Sequence, residues 1–192
     1  DHDEILNKIK QVVIRGDFTL GSIVDEVEEE YAKLCGTKHA IGVGSGTDAL
    51  FLSLKSIGVD KGDEVITTPF TFFATVGAIV TSGATPVFVD CGDDLNINAD
   101  LIESAITPRT KAIMLVHIYG LPVDADPILQ IAKEREIKVI EDAAETIGLD
   151  YKNRPCGSLG DVSTFSFYPN KHITTGEGGM VLTDDEEFFH LL

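Results

Sequence analysis

The stretch KAIMLVHIYGLPVDADPILQIAKEREIKVIED, Lys111 to Asp142, decides the fold class of this chain. Its first apolar run, KAIMLVH, and its last, IKVIED, predict strands, and ADPILQIAKERE between them predicts a helix. Strands that are apolar on both faces and joined by a helix are typical of a parallel sheet covered on each side. The stretch therefore predicts an α/β layered domain.

The same alternation extends in both directions from this unit. Further strands are predicted at HAIGV, DEVITT and TPVFVD, and further helices at TDALFLSLKSI, FFATVGAIVTS and ADLIESAI. After Asp142 the pattern changes to short strands and turns, including VSTFSFY and GGMVLTDD, and EEFFHLL predicts a last helix. Two amphipathic helices are predicted before residue 36.

Composition limits the classes of function. The 192 residues carry a formal net charge of -17, which argues against a nucleic-acid partner or an anionic membrane surface. No apolar run reaches 18 residues, and the three cysteines are far apart, so we expect no membrane span and a reducing cytoplasm. The five histidines show no metal-binding spacing, and we expect no metal.

The segment GVGSGTDALFLSL follows a predicted strand and begins a predicted helix. Gly44, Ser45, Gly46 and Thr47 would place free backbone N–H groups and a hydroxyl at the positive end of that helix, where a phosphate binds well. The segment is neither GxxxxGK[ST] nor GxGxxG, which argues against a nucleoside triphosphate or a dinucleotide. The alternative is an ordinary turn capped by Thr47.

The segment VIEDAAE ends the last strand of the alternating series in two acids. Ligands of open α/β sheets bind beyond the carboxyl ends of strands, so Glu141 and Asp142 are candidates for chemistry. Adjacent strand residues point to opposite faces, so we expect one functional and one solvated acid. The alternative for Asp142 is a helix N-cap.

The segment FSFYPNKHITTGEGGMV, residues 165–181, places Lys171 between aromatics and glycines. Alternation predicts Phe165 and Phe167 in the core and Ser166 on the other face. A lysine is usually a solvated surface charge, but the glycines allow a bulky group to approach closely. A neutral lysine forms Schiff bases with aldehyde cofactors such as pyridoxal phosphate (PLP). The adjacent His172 is a further candidate for acid–base catalysis.

PLP also needs a phosphate site, an acid for its pyridine nitrogen and an aromatic side chain over its ring. An aromatic cluster at PFTFF, which contains Phe70, Phe72 and Phe73, follows a strand. We expect two of these rings in the core and one facing a pocket. The chain thus contains, in order, a phosphate site, an aromatic, an acid and a lysine.

Seven motifs together resemble the DegT/DnrJ/EryC1/StrS family of sugar-nucleotide aminotransferases, which are PLP enzymes of fold type I. The motifs are SGTDAL, PFTFFAT, GATPVFVD, TPRTKAIMLVHIYG, VIEDAAE, GSLGDVSTFSFYPNK and TTGEGGMVLTDD. The resemblance implies a three-layer α/β/α large domain with a mostly parallel mixed sheet at residues 36–192. It also implies that an N-terminal helical segment, residues 1–35, packs on this domain. Family members add a small C-terminal domain that this chain lacks, so the chain is a fragment or is completed by a partner chain.

The resemblance also implies roles for individual residues. Lys171 matches the lysine that forms the Schiff base and then shuttles a proton, and Asp142 matches the acid that pairs with the pyridine nitrogen. Phe72 matches the aromatic stacked on the ring. The phosphate-binding groups and a residue near the cofactor's 3-hydroxyl correspond to Gly46, Thr47, Ser166 and Glu145.

The activity implied is transfer of an amino group from an amino acid, expected to be glutamate, to a keto sugar that is expected to be nucleotide-linked. A homodimer is implied as well, because the family's sites lie at a dimer interface. Two alternatives remain at this point. One is a sugar 3-dehydratase relative, in which a histidine replaces the lysine, and the other is a non-catalytic fragment that keeps the fold.

Overall fold

The computed structural model describes residues 2–192, and Asp1 lies outside the described residues. Its helices are α1 His2–Arg15, α2 Ser22–Cys35, α3 Gly46–Ser56, α4 Phe73–Thr81, α5 Ala99–Ala105, α6 Ala125–Glu134 and α7 Glu186–Leu191. Its strands are β1 His39–Val43, β2 Glu64–Thr67, β3 Thr85–Phe88, β4 Thr110–Val116, β5 Lys138–Asp142, β6 Asp150–Tyr151, β7 Arg154–Pro155, β8 Val162–Ser166 and β9 Gly179–Thr183.

A seven-stranded sheet forms the centre of the fold, in the order β1-β9-β8-β5-β4-β2-β3. The strands from β8 to β3 are parallel, whereas β9 lies antiparallel between β1 and β8. The predicted mostly parallel mixed sheet is confirmed. The parallel pairing that alternation alone predicts for HAIGV is wrong, because β1 pairs with β9, which enters the sheet through a loop rather than a crossover helix.

Helices cover both faces of this sheet and complete the three layers. One face carries α3, α4 and α7, through side chains such as Leu54, Ile79 and Phe188. The opposite face carries α5 and α6, through Ile102 and Ile128, and also α2. Alternate residues of each strand feed the two cores, which explains why the strands are apolar on both sides.

The N-terminal helical segment, residues 1–35, contains two helices with different environments. Helix α2 buries Tyr31, whose ring lies 5.6 Å from that of Phe165, centroid to centroid. No residue of α1 is buried, and the apolar side chains of Ile5 and Ile9 are each more than half exposed. Contact between this segment and the domain is therefore made by α2. Across residues 2–192, no helix combines the length and the apolar character needed to cross a membrane.

Candidate active site

A cavity of about 880 Å³ opens at the carboxyl ends of β5 and β8. Parallel strands of an α/β sheet place their loops at this edge, which is where ligands of such sheets bind. All seven residues that the sequence predicts for a site line this cavity. They are Gly46, Thr47, Phe72, Asp142, Glu145, Ser166 and Lys171.

Lys171 lies in a turn that follows β8, where its backbone N–H donates to the carbonyl of Tyr168. Its side chain is only 14% exposed, and Nζ donates to Oε1 of Glu145 at 2.9 Å. The other oxygen of Glu145 accepts from the backbone N–H of Tyr119 at 2.8 Å. The interpretation of Lys171 as a solvated surface charge is therefore wrong, because the loops after β4 and β5 enclose it.

Asp142 is the last residue of β5, and its side chain is buried below the cavity. Its Oδ2 accepts from the hydroxyl of Thr75 at 2.9 Å, and its Oδ1 accepts from the backbone N–H of Ala144 at 3.3 Å. Burial raises the pKa of Asp142, while these two hydrogen bonds and the charge of Lys171 act in the opposite direction. No helix begins here, so the N-cap alternative is wrong. A carboxyl group of this kind gains strongly from a cationic partner.

The start of α3 forms one wall of the cavity. Ser45, not Thr47, is the N-cap, because its Oγ accepts from the backbone N–H of Asp48 at 3.0 Å. Gly46 and Thr47 are the first residues of the helix, and their N–H groups have no intrahelical acceptor. A Cβ atom at Gly46 would lie 2.6 Å from the Cβ of Ser166. Only glycine therefore lets the helix start approach the end of β8 this closely.

The expectation that two of Phe70, Phe72 and Phe73 belong to the core is wrong. Phe72 is 72% exposed, Phe73 is 79% exposed, and Phe70 is also exposed. The strand ends at Thr67, and α4 turns smaller residues such as Ala74 toward the sheet, which leaves the rings outside. Phe72, the N-cap residue of α4, lines the cavity. The predicted burial of Phe165 and Phe167 is confirmed.

Glu141 is fully buried, so the expectation of one solvated acid is wrong. Its carboxylate accepts hydrogen bonds from Nε2 of His117 at 2.8 Å, from Oγ of Ser163 at 2.8 Å and from the backbone N–H groups of Gly157 and Leu159 at 2.5 and 2.8 Å. Burial opposes ionisation, but these donors together lower the pKa of Glu141. As predicted, its side chain and that of Asp142 lie on opposite faces of the sheet.

Among residues 2–192, one group of potential metal ligands lies close together: His117, Glu141 and Cys156, with ligand atoms within 4.8 Å of one another. The ring of His117 has no free lone pair, because Nδ1 accepts from the N–H of Val123 at 3.0 Å and Nε2 donates to Glu141. Burial and the charge of Glu141 raise the pKa of the Cys156 thiol to about 12. His117 and Glu141 are thus bonded to each other, and the thiol of Cys156 is held in its protonated form, which is a poor metal ligand.

Comparison with known proteins assigns the chain to a family. The profile of the DegT/DnrJ/EryC1/StrS aminotransferase family matches residues 1–191. The chain belongs to this family.

Relatives of this DegT-family chain include a GDP-perosamine synthase from Caulobacter vibrioides. It is 49% identical over a match that covers 88% of this chain and 46% of that protein. A crystal structure of an aminotransferase from Psychrobacter cryohalolentis superposes with a TM-score of 0.93 and 38% identity, covering 97% of this chain and 48% of that one. The chain thus spans about half the length of these relatives.

A third similar protein carries a cofactor. The structure of NtdA from Bacillus subtilis with bound cofactor PMP superposes with a TM-score of 0.92 and 39% identity, covering 97% of this chain and 42% of that one. The aminotransferases of the DegT family are PLP-dependent, and the fold of this chain is that of the type I PLP enzymes.

The structure adds residues to the cavity of this DegT-family chain that sequence reasoning missed. Tyr119 and Thr71 line the cavity, and Thr75 contacts Asp142 from behind. Tyr119 has a left-handed backbone (φ 52°), and its place in the loop after the predicted strand KAIMLVH is the signal that could have indicated it. His172 is exposed and is not among the lining residues.

Proposed function

We propose that this chain is the cofactor-binding part of a PLP-dependent aminotransferase that converts a keto sugar to an amino sugar. The observation that carries the proposal is a single cavity in which the amine of Lys171, the buried carboxyl of Asp142 and the start of α3 beside Ser166 lie together. A lysine, an acid and an anion site are the three groups that PLP requires of a protein.

The residues fit the cofactor one by one. The close approach of Gly46 to Ser166 brings the N–H groups of a helix start next to a hydroxyl, a combination suited to a phosphate. Asp142 is a buried acid that gains from a cationic ring nitrogen. The exposed ring of Phe72 at the cavity lies free to stack on an aromatic ligand.

When bound, PLP would supply an electron sink for the carbon that carries the amino group and a carrier for that group. Asp142 would keep the ring nitrogen protonated, and Phe72 would orient the ring. Lys171 would hold the cofactor through Nζ, and the same amine would move a proton at the reacting substrate carbon. Glu145, which bonds to Lys171 in this structure, lies close enough to receive or hold protons from the same amine.

The substrate proposal is supported by the relatives. Similar proteins include the GDP-perosamine synthase and a dTDP-3-amino-3,4,6-trideoxy-alpha-D-glucose transaminase from Micromonospora megalomicea, 44% identical. We therefore propose a nucleotide-linked keto sugar as acceptor and glutamate as donor, with a role in amino-sugar or surface-polysaccharide synthesis. The sugar 3-dehydratase alternative is less favoured, because a lysine lines the cavity while His172 is exposed.

The same proposal includes a homodimer in the cytoplasm. Three large aromatic side chains at or beside the cavity, Phe72, Phe73 and Tyr119, are each more than 70% exposed, and exposed aromatic clusters mark interfaces. The three cysteines are unpaired, as they would remain in a reducing compartment. Sedimentation equilibrium of the complete protein measures its molecular mass in solution. The mass of a monomer at micromolar concentration would contradict the proposed homodimer.

The test uses the complete protein with PLP, ¹⁵N-glutamate and a panel of nucleotide-linked keto sugars. Mass spectrometry is expected to find an amino sugar that carries the ¹⁵N label. The Lys171→Ala variant should make no labelled product, whereas Lys111→Ala, which alters an exposed lysine on β4, should match the wild type. Absence of label from every sugar, or undiminished transfer by Lys171→Ala, would overturn the proposal.

A second variant tests the role of the acid. Asp142→Asn removes the charge opposite the ring nitrogen but keeps the shape of the side chain. PLP should still bind, with a higher dissociation constant, and turnover with PLP at saturating concentration should fall about 100-fold or more, since electrostatic stabilisation is lost. The measurement is the rate of labelled product at saturating substrate. Asp161→Asn, which removes a carboxylate outside the cavity, should keep its turnover.

A further inference from the structure

Two threonine hydroxyls connect the first turn of α4 to the buried end of β5. The Oγ1 of Thr75 bonds to Oδ2 of Asp142 at 2.9 Å, and the Oγ1 of Thr71 bonds to that of Thr75 at 2.8 Å. Thr75 is completely buried, whereas Thr71 lines the cavity. A chain of hydroxyls therefore runs from the cavity to the side of Asp142 that faces α4.

The direction of the protons in this chain follows from the chemistry of the groups. When Asp142 is ionised its carboxylate only accepts, so the single hydroxyl proton of Thr75 then points at Asp142. The oxygen of Thr75 is then an acceptor, and Thr71 donates to it. Each donor strengthens the next, because polarised hydroxyls in a series reinforce one another.

The contact of Thr75 is not one that the helix itself requires. A threonine within a helix commonly bonds to a carbonyl of the preceding turn. Thr75 instead bonds to a residue 67 positions away in the sequence. The N–H of Thr75 donates to the carbonyl of Phe72 at 3.1 Å, so Thr75 contacts Asp142 through its hydroxyl.

We infer that Thr75 is a positioning residue, which holds Asp142 ionised and oriented for the ring nitrogen of PLP, with Thr71 orienting Thr75. The inference rests on the proposed function. Phe72 lies one turn before Thr75 on the same helix, so α4 supplies both the ring-stacking side chain and the support of the acid. A displacement of α4 would therefore disturb both the stacking of Phe72 on the cofactor and the hydrogen bond from Thr75 to Asp142.

The experiment measures the PLP dissociation constant of the complete protein by equilibrium dialysis. Thr75→Val keeps the shape of the side chain and removes the donor, and the constant should rise about tenfold, equivalent to ~1.4 kcal/mol. Thr75→Ser keeps the hydroxyl and should stay within about threefold of the wild type. Thr71→Val should raise the constant about threefold, since Thr75 can still donate.

The matched control is Thr67→Val. Thr67 is also fully buried, but its hydroxyl donates to the carbonyl of Met114 on the neighbouring strand. This variant should lose a similar amount of stability and keep its affinity for PLP. A general loosening of the fold would instead weaken PLP binding in Thr75→Val and in Thr67→Val alike, and that result would overturn the inference.

The remaining outcomes separate this inference from the proposed function. If the wild type does not bind PLP, the proposed function fails. If the wild type binds PLP and Thr75→Val binds it equally well, the function stands and the positioning role is wrong. If Thr75→Val does not fold, as judged by near-ultraviolet circular dichroism, Thr71→Val decides, because an unchanged dissociation constant there excludes the hydroxyl chain.

Discussion

Glu141 and Asp142 are chemically similar neighbours that the strand sends to opposite faces of the sheet. Asp142 lies under the cavity, where burial raises its pKa. Glu141 lies in the opposite core, where five residues donate to it and its pKa is lowered. Position along a strand therefore gives one acid a place in the site and the other a structural task.

The structural task of Glu141 can be tested by Glu141→Gln in the complete protein. The amide NH₂ would face N–H donors in a buried site, so the free energy of unfolding should fall by about 3 kcal/mol at pH 7. Urea unfolding measures this loss. Glu103→Gln, which alters the exposed ion pair with Arg135, should cost no more than about 0.5 kcal/mol.

The stability difference between the wild type and Glu141→Gln should also depend on pH. Because the pKa of Glu141 is lower in the folded state, its ionised form contributes stability above the unfolded pKa of about 4.3. That contribution is lost as the pH falls through the lower folded value. The difference in stability between the wild type and Glu141→Gln should thus be full at pH 7 and shrink below pH ~4. A difference that grows on acidification would show that Glu141 is buried in its protonated form.

For individual residues, the sequence predicts the location of some side chains well and that of others poorly. The seven site residues could be predicted to share a site, because each lies at a strand end, at a helix start or in the loop after a strand, and the family resemblance selects Phe72 and Glu145 among them. The burial of Glu141 could not, because its donors lie 16 to 24 residues away and form no local pattern. The exposure of Phe73 was also unpredictable, since an aromatic cluster has the same composition in a core and on a surface.

Among the elements, β9 has the most consequential position. It is the antiparallel strand between β1 and β8, and its first residue, Gly179, lies against the start of α3. A Cβ atom there would lie 2.5 Å from the carbonyl oxygen of Ser45 and 2.9 Å from the N of Gly46. The backbone of α3 could not keep its place if this residue had a side chain.

We therefore expect Gly179→Ala to move the start of α3 away from Ser166. Stability should fall by about 2 kcal/mol, as for other overpacked sites, and PLP should bind more weakly. Thermal unfolding and dialysis provide the two measurements. Gly77→Ala is the matched control, because its Cβ meets only the exposed ring of Phe73, and alanine stabilises a helix interior by about 0.5–1 kcal/mol. If Gly179→Ala and Gly77→Ala both unfold at the wild-type temperature, the close approach of Gly179 to the start of α3 is not required for stability.

The type of most elements could be predicted from periodicity, but their pairing could not. The helix between β4 and β5 has the apolar spacing that predicts it, and the parallel pairing follows from the crossover. Nothing in HAIGV indicates an antiparallel partner, since that partner, GMVLT, comes from the far end of the chain. Pairings of this kind are fixed by the whole sheet rather than by either strand.

On the scale of the whole molecule, every residue that we assign to the cofactor lies within these 192 residues, although relatives are about twice as long. We therefore expect the 192-residue chain alone to bind PLP covalently at Lys171. Borohydride reduction and mass analysis of the Lys171 peptide measure the adduct. Lys171→Ala should carry none. An unmodified Lys171 peptide in the wild type would mean that the cavity needs further chain or a partner subunit to bind its ligand.

The position of β9 also determines the order in which the site is assembled at the ribosome. The start of α3 leaves the exit tunnel well before its neighbour β9, because β9 comes much later in the sequence. Until Gly179–Thr183 has emerged and inserted, β1 has no strand to pair with and the wall of the cavity that α3 forms has no support. The cavity is therefore complete only after β9 has been made, and the strands that precede β9 must pair without the cofactor as a template.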